Sequence, residues 1–450
     1  MSTLLARYAE YAQNEAQRSV PAEALHHAKR AVIDWFSALY PGTQVAPATL
    51  LVRAHSQEFG FGRSTLPGFG LRAFPATAAW INGSASHSVE FDDIFKDAAY
   101  HPGCPTIAAA LAVAQDLDRS GLTLLRAIII GYEISTRIGV AVQPSHYRYF
   151  HTTGTVGCMG AAAAAAILQA PARAEVVQHA LATATTFASG LQQAFRSDAM
   201  TKPLHAGHAA SVGVLSAKAA AQGVTGVADM LEGAAGFGVG LSTGADWSQA
   251  TEGLGVHYNI AHMTQKNHGC CGHAFAAIDA ALALRDQHGL APRDIARIDV
   301  EGYRATVDVT GNDAPVTATE AKFSLAYVVS HALLYGSVRL DAFSNKRLVD
   351  AGIRALMARV SLTEDPQLTA RFPSQRAARV FITLNNGNRY EHFAPCRKGD
   401  PEAPLSDADI DAKFKELVAP VIGAFACQRL LAQLWQLDSL KVADLQLERD

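Results

Sequence analysis

The chain has 450 residues, of which 49% are hydrophobic and 18% are charged, so it can bury a large core, and we expect two domains. Its formal net charge of −3 gives no basic field for nucleic acid, which excludes a nucleic-acid partner. No apolar run is long enough to span a bilayer. The N-terminal stretch carries charges among its apolar residues, unlike a signal peptide. We therefore expect a cytoplasmic protein with no membrane partner.

The cysteines show no regular spacing and contain no CxxC pair. They are Cys104, Cys158, Cys270, Cys271, Cys396 and Cys427. A chain of this size does not need disulfides for stability, and the spacing does not match a zinc site or an iron–sulfur cluster. We therefore expect reduced thiols and no metal.

Most of the first 260 residues have helical patterns. Ser19 and Pro21 predict a helix start, with a capping residue followed by an early proline. After them, Leu25, Ala28 and Val32 form an apolar stripe at helical spacing. Later segments are rich in alanine and glycine and predict closely packed core helices.

The pattern changes near residue 263. Residues 296–301 alternate as a strand does, and residues 379–384 and 389–393 flank an Asn-Gly turn that predicts a β-hairpin. Ser406 with Asp409 three residues later predicts a helix start of the capping-box kind. The sequence therefore predicts a mainly α protein. Its large all-helical domain is formed by both chain ends, residues 1–262 and 396–450, and its smaller α+β domain by residues 263–395.

A charged cluster interrupts the apolar pattern between His87 and Gly103. It contains Glu90, Asp92, Asp93, Lys96, Asp97 and His101. Buried charge is costly unless it is paired or used, so the cluster is a candidate site for acid–base chemistry. The alternative is an ion-pair and N-cap cluster at a helix start, and the cluster alone favours neither interpretation.

Four further polar segments lie at residues 147–155, 201–208, 265–273 and 320–327. The first precedes a Gly/Ala helix whose backbone N–H groups would favour an anion. Each segment also has a purely structural interpretation. Lys202 could be a solvated loop lysine, His273 a core histidine and Tyr327 a core aromatic residue.

Together these segments resemble the MmgE/PrpD family, which includes 2-methylcitrate dehydratase, cis-aconitate decarboxylase and iminodisuccinate epimerase. The resemblance begins at PAEALHHAKRAVIDWFSAL and continues through HSVEFDD, FHTTGTVGCMGAAAAAA, MTKPLHAGHAA, CCGHAFAAIDA and AKFSLAY. It implies a helical domain with a smaller α+β lid domain, a cleft between them and a homodimer. It also implies a small anionic carboxylate substrate and neither a metal nor an organic cofactor.

The resemblance assigns roles to several positions. Residues that match positions used by family decarboxylases are His101, His151, Lys202, Lys266, His273 and Tyr327. Two positions depart from the pattern, because Glu90 replaces an aspartate of a DFDD run and Ile94 replaces a threonine. These departures change the length and polarity of the wall that would hold a tricarboxylate.

The departures favour an epimerase of an imino- or amino-dicarboxylate as the first hypothesis. The residues expected to be catalytic are Lys202, Tyr149, His151 and His101. Those expected to bind substrate are Glu90, Asp93, Arg196, His205, Lys266, His273 and Tyr327. Proton abstraction next to a carboxylate needs cations aimed at the substrate and a base with a pKa near working pH. The alternatives are a lyase of the dehydratase or decarboxylase type and a non-catalytic acid-binding relative.

Overall fold

The computed structural model of the chain describes residues 2–195 and 199–449. The α-helices, in chain order, are α1 (Leu4–Gln17), α2 (Ala22–Gly42), α3 (Ala48–Ala54), α4 (Pro75–Ser86), α5 (Gly103–Asp116), α6 (Gly121–Ala141), α7 (Thr152–Thr155), α8 (Gly157–Gln169), α9 (Ala174–Thr186), α10 (Thr201–Ala221), α11 (Phe237–Leu241), α12 (Phe275–His288), α13 (Arg304–Thr310), α14 (Ala318–Lys322), α15 (Leu325–Tyr335), α16 (Asn345–Leu348), α17 (Ala351–Met357), α18 (Pro366–Arg371), α19 (Asp407–Ile422) and α20 (Ala424–Trp435). The strands are β1 (Ser64–Leu66), β2 (Leu71–Ala73), β3 (Ile295–Gly302), β4 (Val360–Glu364), β5 (Ala378–Leu384) and β6 (Arg389–Ala394).

The chain divides into two compact units. Unit 1 comprises Met1–Thr264 and Ser406–Asp450, and unit 2 comprises Gln265–Leu405. Residues 396–405, which the sequence analysis assigned to the helical domain, group with unit 2. The reason is local bonding, because the Gly399 carbonyl accepts from the Gln265 N–H at 2.9 Å and Arg397 pairs with Asp400 at 2.6 Å.

Unit 1 is built around the small-residue helices α8 and α10, which pack against α4, α5 and α6. Gly207 shows why small residues are needed in α10. A Cβ atom at this position would lie 2.1 Å from Ser84 Oγ and 2.2 Å from the Trp80 carbonyl oxygen, both on α4. The absence of a side chain therefore sets the distance of closest approach between the two helices. Within the described ranges, no helix combines the length and the apolar character needed to cross a bilayer.

Unit 2 contains a four-stranded sheet in the order β4-β3-β5-β6. β3 pairs in parallel with β4 and antiparallel with β5, and β5 and β6 form the expected hairpin. Apolar residues of α12 and α15 form one buried cluster with the sheet. The predicted fold class, mainly α with a small α+β part, is confirmed.

The predicted helix starts have different outcomes. Ser406 accepts from the Asp409 N–H while the Asp409 carboxylate accepts from the Ser406 N–H, which confirms the capping box of α19. Ser19 does not cap α2, and that prediction is wrong. Pro21 is the N-cap of α2 and makes no side-chain capping bond, so Ser19 lies too far before the first turn to reach its N–H groups.

A buried lysine of α19 joins three segments of unit 1. Lys413 Nζ donates to Asp34 Oδ1 of α2 at 2.6 Å and to the Phe91 carbonyl oxygen at 2.9 Å. Both charged side chains are fully buried, and burial raises the pKa of Asp34 although Lys413 opposes the rise. The pair therefore ties a late helix to an early one and to the segment that contains Glu90.

We expect Lys413→Met to destabilise the protein by about 3–5 kcal/mol, because it leaves the Asp34 carboxylate buried without its cation. Urea unfolding should show this loss, and the double variant Lys413→Met/Asp34→Leu should recover much of it. The matched control is Lys415→Met, because Lys415 is exposed on the same helix and should cost no more than about 0.5 kcal/mol. Equal stability of the Lys413 and Lys415 variants would contradict this account.

Candidate active site

The charged cluster of the sequence forms a fixed loop of unit 1, residues 87–102, which we call the site loop. It connects α4 to α5. Asp93 anchors it by accepting from Tyr132 Oη at 2.7 Å and from the Gly103 N–H at 3.0 Å, and burial raises the Asp93 pKa to about 7. Ile94 exchanges two backbone hydrogen bonds with Thr264. Asp93, expected to bind substrate, therefore lies in contacts that hold the loop.

Asp92 is the shared acceptor of the site loop. Its Oδ2 accepts from His87 Nδ1 at 2.7 Å and from the Cys104 thiol at 3.4 Å. His101 Nδ1 lies 2.8 Å from the same oxygen, off the ideal hydrogen-bond direction. Burial raises the pKa of the Cys104 thiol well above its usual value, so the thiol remains a neutral donor. One carboxylate oxygen thus accepts a hydrogen bond from His87 and lies at ion-pair distance from His101.

Four histidines form a cluster beside Asp92. The ring centres of His87 and His101 are 4.9 Å apart, His87 stacks on His151 at 5.4 Å, and the His151 and His205 centres are 5.3 Å apart. The Nδ1 atoms of His151 and His205 lie 3.0 Å apart, so one ring donates and the other accepts. We call these four residues the histidine cluster.

Burial keeps most of the histidine cluster uncharged. It lowers the pKa of His87 to about 4, although Asp92 opposes this, and it lowers the pKa of His151 well below the usual value. Burial and the charge of Lys202 also lower the pKa of His205. His101 differs in access, because 14% of its side chain is exposed whereas His87 is fully covered. His87, His151 and His205 therefore stay neutral at neutral pH, and a neutral imidazole can accept a hydrogen bond on one of its two ring nitrogens.

Lys202 brings a cation to this cluster. It lies in the first turn of α10, where backbone N–H groups and the helix dipole favour an anion. Its Nζ forms an ion pair with Glu90 of the site loop, and the two side chains are 24% and 20% exposed. A cation, a carboxylate and proton acceptors thus meet at one place in unit 1. This arrangement can bind an anionic group and exchange a proton with it.

A possible metal group lies within the same cluster. Among the described residues, the ligand atoms of His87, Asp92 and Cys104 lie within 4.8 Å of one another. The 2.7 Å distance from His87 Nδ1 to Asp92 Oδ2 is a hydrogen-bond length. Two ligands of a tetrahedral zinc ion, each bonded at about 2.1 Å, stand roughly 3.4 Å apart. The observed spacing therefore suits shared protons better than a shared metal.

Three of the expected site residues lie in unit 2. Lys266 is buried there. His273 Nδ1 lies 2.7 Å from Tyr303 Oη, and burial together with Arg376 and Arg397 lowers its pKa to about 3. The Tyr327 hydroxyl donates to the Ala342 carbonyl, and burial raises its pKa to about 12.

Tyr149, expected to be catalytic, is not brought into the cluster. The Tyr149 side chain is more than half exposed, and its ring centre lies 5.2 Å from the Arg148 guanidinium carbon. Arg196 lies outside the described residues. Of the sequence-predicted residues, the structure brings together Glu90, His101, His151, Lys202 and His205.

The sequence analysis did not assign His87 or Cys104 to the site. His87 follows α4 directly and Cys104 lies in the first turn of α5, so the two helix ends bring them to Asp92. A signal for His87 was present, because it lies five residues before Asp92 in the same charged cluster. Nothing in the sequence around Cys104 pointed to a site, because the six cysteines have no regular spacing.

The chain is similar to two of the named relatives along most of its length and to a third over a shorter part. It is 26% identical over 437 residues to the cis-aconitate decarboxylase-like protein oryM of Aspergillus oryzae, covering 91% of this chain and 89% of the relative. It is 28% identical over 386 residues to the cis-aconitate decarboxylase of Homo sapiens, covering 82% and 78%. It is 29% identical to the 2-methylcitrate dehydratase of Cupriavidus necator over 123 residues, covering 26% and 25%.

Two family models cover most of the chain. The MmgE/PrpD N-terminal domain matches residues 6–250 and the MmgE/PrpD C-terminal domain matches residues 268–437. The first match contains the site loop, the histidine cluster and Lys202, and the second contains His273 and Tyr327, whereas Lys266 lies between the two matches. The chain therefore belongs to the MmgE/PrpD family.

Proposed function

We propose that this protein is a lyase that acts on a small polycarboxylate by proton transfer through the cluster of unit 1. The observation that carries the proposal is the meeting of Lys202, Glu90 and the histidine cluster around Asp92. The named relatives, a cis-aconitate decarboxylase, a cis-aconitate decarboxylase-like protein and a 2-methylcitrate dehydratase, support the same class of reaction.

Decarboxylation has the stronger support of the two lyase reactions. The relatives named as cis-aconitate decarboxylases match over most of their length, whereas the named dehydratase matches over 123 residues. For an unsaturated acid of this kind, the bond from carbon to one carboxylate breaks and CO2 leaves. The electron pair spreads over the adjacent double bond, and a proton is added at its far carbon. Negative charge therefore develops beside a remaining carboxylate.

Each side chain of the cluster has a role in this scheme. Lys202 holds a substrate carboxylate and stabilises the developing charge. His101 carries the proton, because it is more exposed than the other loop histidine and Asp92 holds its Nδ1 side. His151, kept neutral by burial, accepts a hydrogen bond or a proton from the reacting group or from His205.

The epimerase hypothesis, which the sequence analysis ranked first, receives no support from the named relatives. It needs a second acid–base group facing Lys202, for which Tyr149 or His151 was expected. Tyr149 is largely exposed and lies against Arg148, whereas His151 lies in the cluster with Lys202, so the preference for the lyase rests on the named relatives rather than on this geometry. We therefore propose the lyase, which was the alternative.

We also propose that the chain forms a homodimer. Large apolar side chains are exposed on one short stretch of unit 1, at Phe187, Leu191 and Met200. Exposed apolar surface of this kind often marks a protein–protein contact. Sedimentation of the purified chain at monomer mass across the working concentration range would contradict this.

The reaction itself is tested by incubating the protein in D2O with cis-aconitate, citrate, 2-methylcitrate and related isomers. We expect release of CO2 and one deuterium on carbon in the product, seen by NMR. Loss of water without CO2 would favour the dehydratase reaction instead. Deuterium exchange into an amino-dicarboxylate, with no lyase product from any acid, would contradict the proposal and restore the epimerase hypothesis.

The same assay shows whether the measured activity comes from this cluster or from a contaminating enzyme. Lys202→Met should lower the rate by at least about 100-fold, because it removes the cation that stabilises the developing charge. Lys218→Met is the matched control, since Lys218 is exposed at the other end of α10 and should leave the rate unchanged. Equal rates for the two variants would show that the reaction does not depend on this cluster.

Neutral histidines in the cluster predict a pH dependence of stability. Because the pKa of His87 falls from 6.5 to about 4 on folding, the unfolded chain binds the additional proton between these values. This contribution to stability is present above pH 6.5 and is lost as the pH falls towards 4. Asp93 and Glu133, whose pKa values rise to about 7, act in the opposite direction.

Comparison with His87→Gln separates the contribution of His87 to the pH dependence of stability from the contributions of Asp93 and Glu133. The free energy of unfolding of the wild type minus that of the variant should decrease with falling pH, by up to about 1.4 kcal/mol per pH unit between pH 6.5 and 4. Denaturant titrations at several pH values measure it. A difference that stays constant over this range would show that His87 titrates alike in the folded and unfolded chains.

A further inference from the structure

A cavity of about 400 Å³ lies in unit 1, outside the candidate active site. Its wall consists of the β1–β2 ribbon, the C-terminal end of α5 and the segment of residues 442–448 near the end of the chain. The site loop lies at the opposite end of α5, whose 14 residues span about 21 Å. Ligand pockets of proteins have volumes of about 300–1,000 Å³, so the cavity is large enough for a small metabolite.

Two arginines of this ribbon line the cavity. Arg72 lies directly opposite Thr65 in the ribbon, and Arg63 lies two residues before Thr65, so their side chains share one face. Both arginines are exposed, and among the described residues neither guanidinium group has a hydrogen bond or an ion pair. Two unpaired positive charges at neighbouring positions of one face repel each other. An anionic group between them would relieve that repulsion and accept hydrogen bonds from both.

The ribbon is held on α5 by Gln115. The Gln115 side-chain oxygen accepts from the Thr65 N–H at 2.9 Å, and the side-chain nitrogen donates to Thr65 Oγ1 at 2.8 Å. Gln115 is buried, so these bonds are shielded from water. The part of the wall that carries the two arginines is therefore fixed before a ligand binds, which lowers the entropic cost of binding.

A carboxylate near the end of the chain lines the same cavity. Glu448 is partly exposed, and within the described ranges it forms no ion pair with either arginine of the wall. Burial raises its pKa, whereas the backbone N–H groups of Gly68 and Gly70 oppose the rise. Asp118, the other acid of the wall, is already paired with Lys441 at 3.2 Å. The cavity therefore presents two positive charges and one negative charge that do not pair with one another.

Apolar side chains complete the wall, and they are Leu71, Val442, Leu445 and Leu447. A molecule in the cavity thus meets two guanidinium groups, one carboxylate and an apolar surface. The planar guanidinium group matches a carboxylate, and a carboxylate accepts hydrogen bonds from an ammonium group. An α-amino acid with an apolar side chain carries all three complementary groups on one small molecule.

We propose that this cavity is a second binding site, which takes an apolar α-amino acid in its zwitterionic form. The carboxylate of the ligand lies on Arg63 and Arg72, its ammonium group lies on Glu448, and its side chain packs against the apolar part of the wall. The site does not include Lys202 or the histidine cluster. The inference is therefore independent of the proposed lyase reaction.

The test is calorimetric titration of the full chain with leucine, phenylalanine and methionine at neutral pH. The wild type should bind at least one of them. For the amino acid that binds most tightly, the double variant Arg63→Gln/Arg72→Gln should weaken binding by at least about tenfold, because it removes the charged donors to the ligand carboxylate. Failure of all three amino acids to bind the wild type would overturn the proposal.

Analogues of the same amino acid that lack one charged group test the two ends of the ligand separately. For leucine they are 4-methylpentanoate, which lacks the ammonium group, and 3-methylbutylamine, which lacks the carboxylate. Each analogue should bind at least about tenfold more weakly than the amino acid. Glu448→Gln should weaken binding of the amino acid but not of the analogue without the ammonium group. Equal affinity of the amino acid and that analogue for the wild type would overturn the role of Glu448 and the zwitterionic ligand.

Arg53→Gln is the matched control, because Arg53 is an exposed arginine of unit 1 that does not line the cavity, and it should leave the affinity unchanged. Lys202→Met should also leave the affinity unchanged. Loss of binding in Lys202→Met, with none in the double arginine variant, would place the amino acid at the candidate active site and overturn the proposal. Thermal unfolding verifies that each variant is folded. If the double variant is unstable, Arg72→Gln alone replaces it, and an unchanged affinity in that variant would overturn the role of the arginines.

Discussion

The buried ammonium group of Lys413 is the constraint on which the placement of the candidate site depends. It lies in a helix that begins after residue 406, yet it reaches Asp34 in α2 and the backbone carbonyl of Phe91. A buried charge is tolerated only when it is paired and hydrogen-bonded, so all three partners must hold their positions together. Through Phe91, that requirement fixes the segment between Glu90 and Asp92. The C-terminal segment of the chain therefore helps to position acid–base groups near the N-terminal third.

Burial then decides what those groups can do. The interior side of the cluster, at His87 and His151, is covered and its rings are neutral. The more accessible side contains Lys202, Glu90 and His101. A substrate would therefore meet charges first, with neutral imidazole rings behind them. This order suits a reaction in which an anion must be held while a proton moves.

Local sequence signals predicted the local structures well. The Asn-Gly hairpin of β5 and β6 and the capping box of α19 depend on residues within a few positions of one another. Ser19 failed because a cap is defined by where the first turn begins, and Pro21 sets that point. The polar segments also pointed to Lys202, His151 and His101, since charged residues among alanines are conspicuous.

The remaining features come from contacts between distant parts of the chain, which periodicity does not reveal. From the sequence alone, Lys413 looks like an ordinary exposed lysine of an amphipathic helix. Its partner Asp34 lies 379 residues earlier in the chain. Cys104 reads as a packing residue until the fold brings its thiol to Asp92. The left-handed backbone of Glu90 likewise follows from the anchoring of its neighbours rather than from its own preference.

The most direct measurement of the central claim is the rate of substrate-dependent deuterium incorporation in Asp92→Asn. Asp92 accepts a hydrogen bond from His87 and lies at ion-pair distance from His101, so the account predicts a fall of about 100-fold or more in the rate, with substrate binding changed much less. Asp97→Asn, in the exposed part of the same loop, should behave as the wild type. An Asp92→Asn variant that transfers protons as fast as the Asp97→Asn variant would contradict the claim that this cluster performs the chemistry.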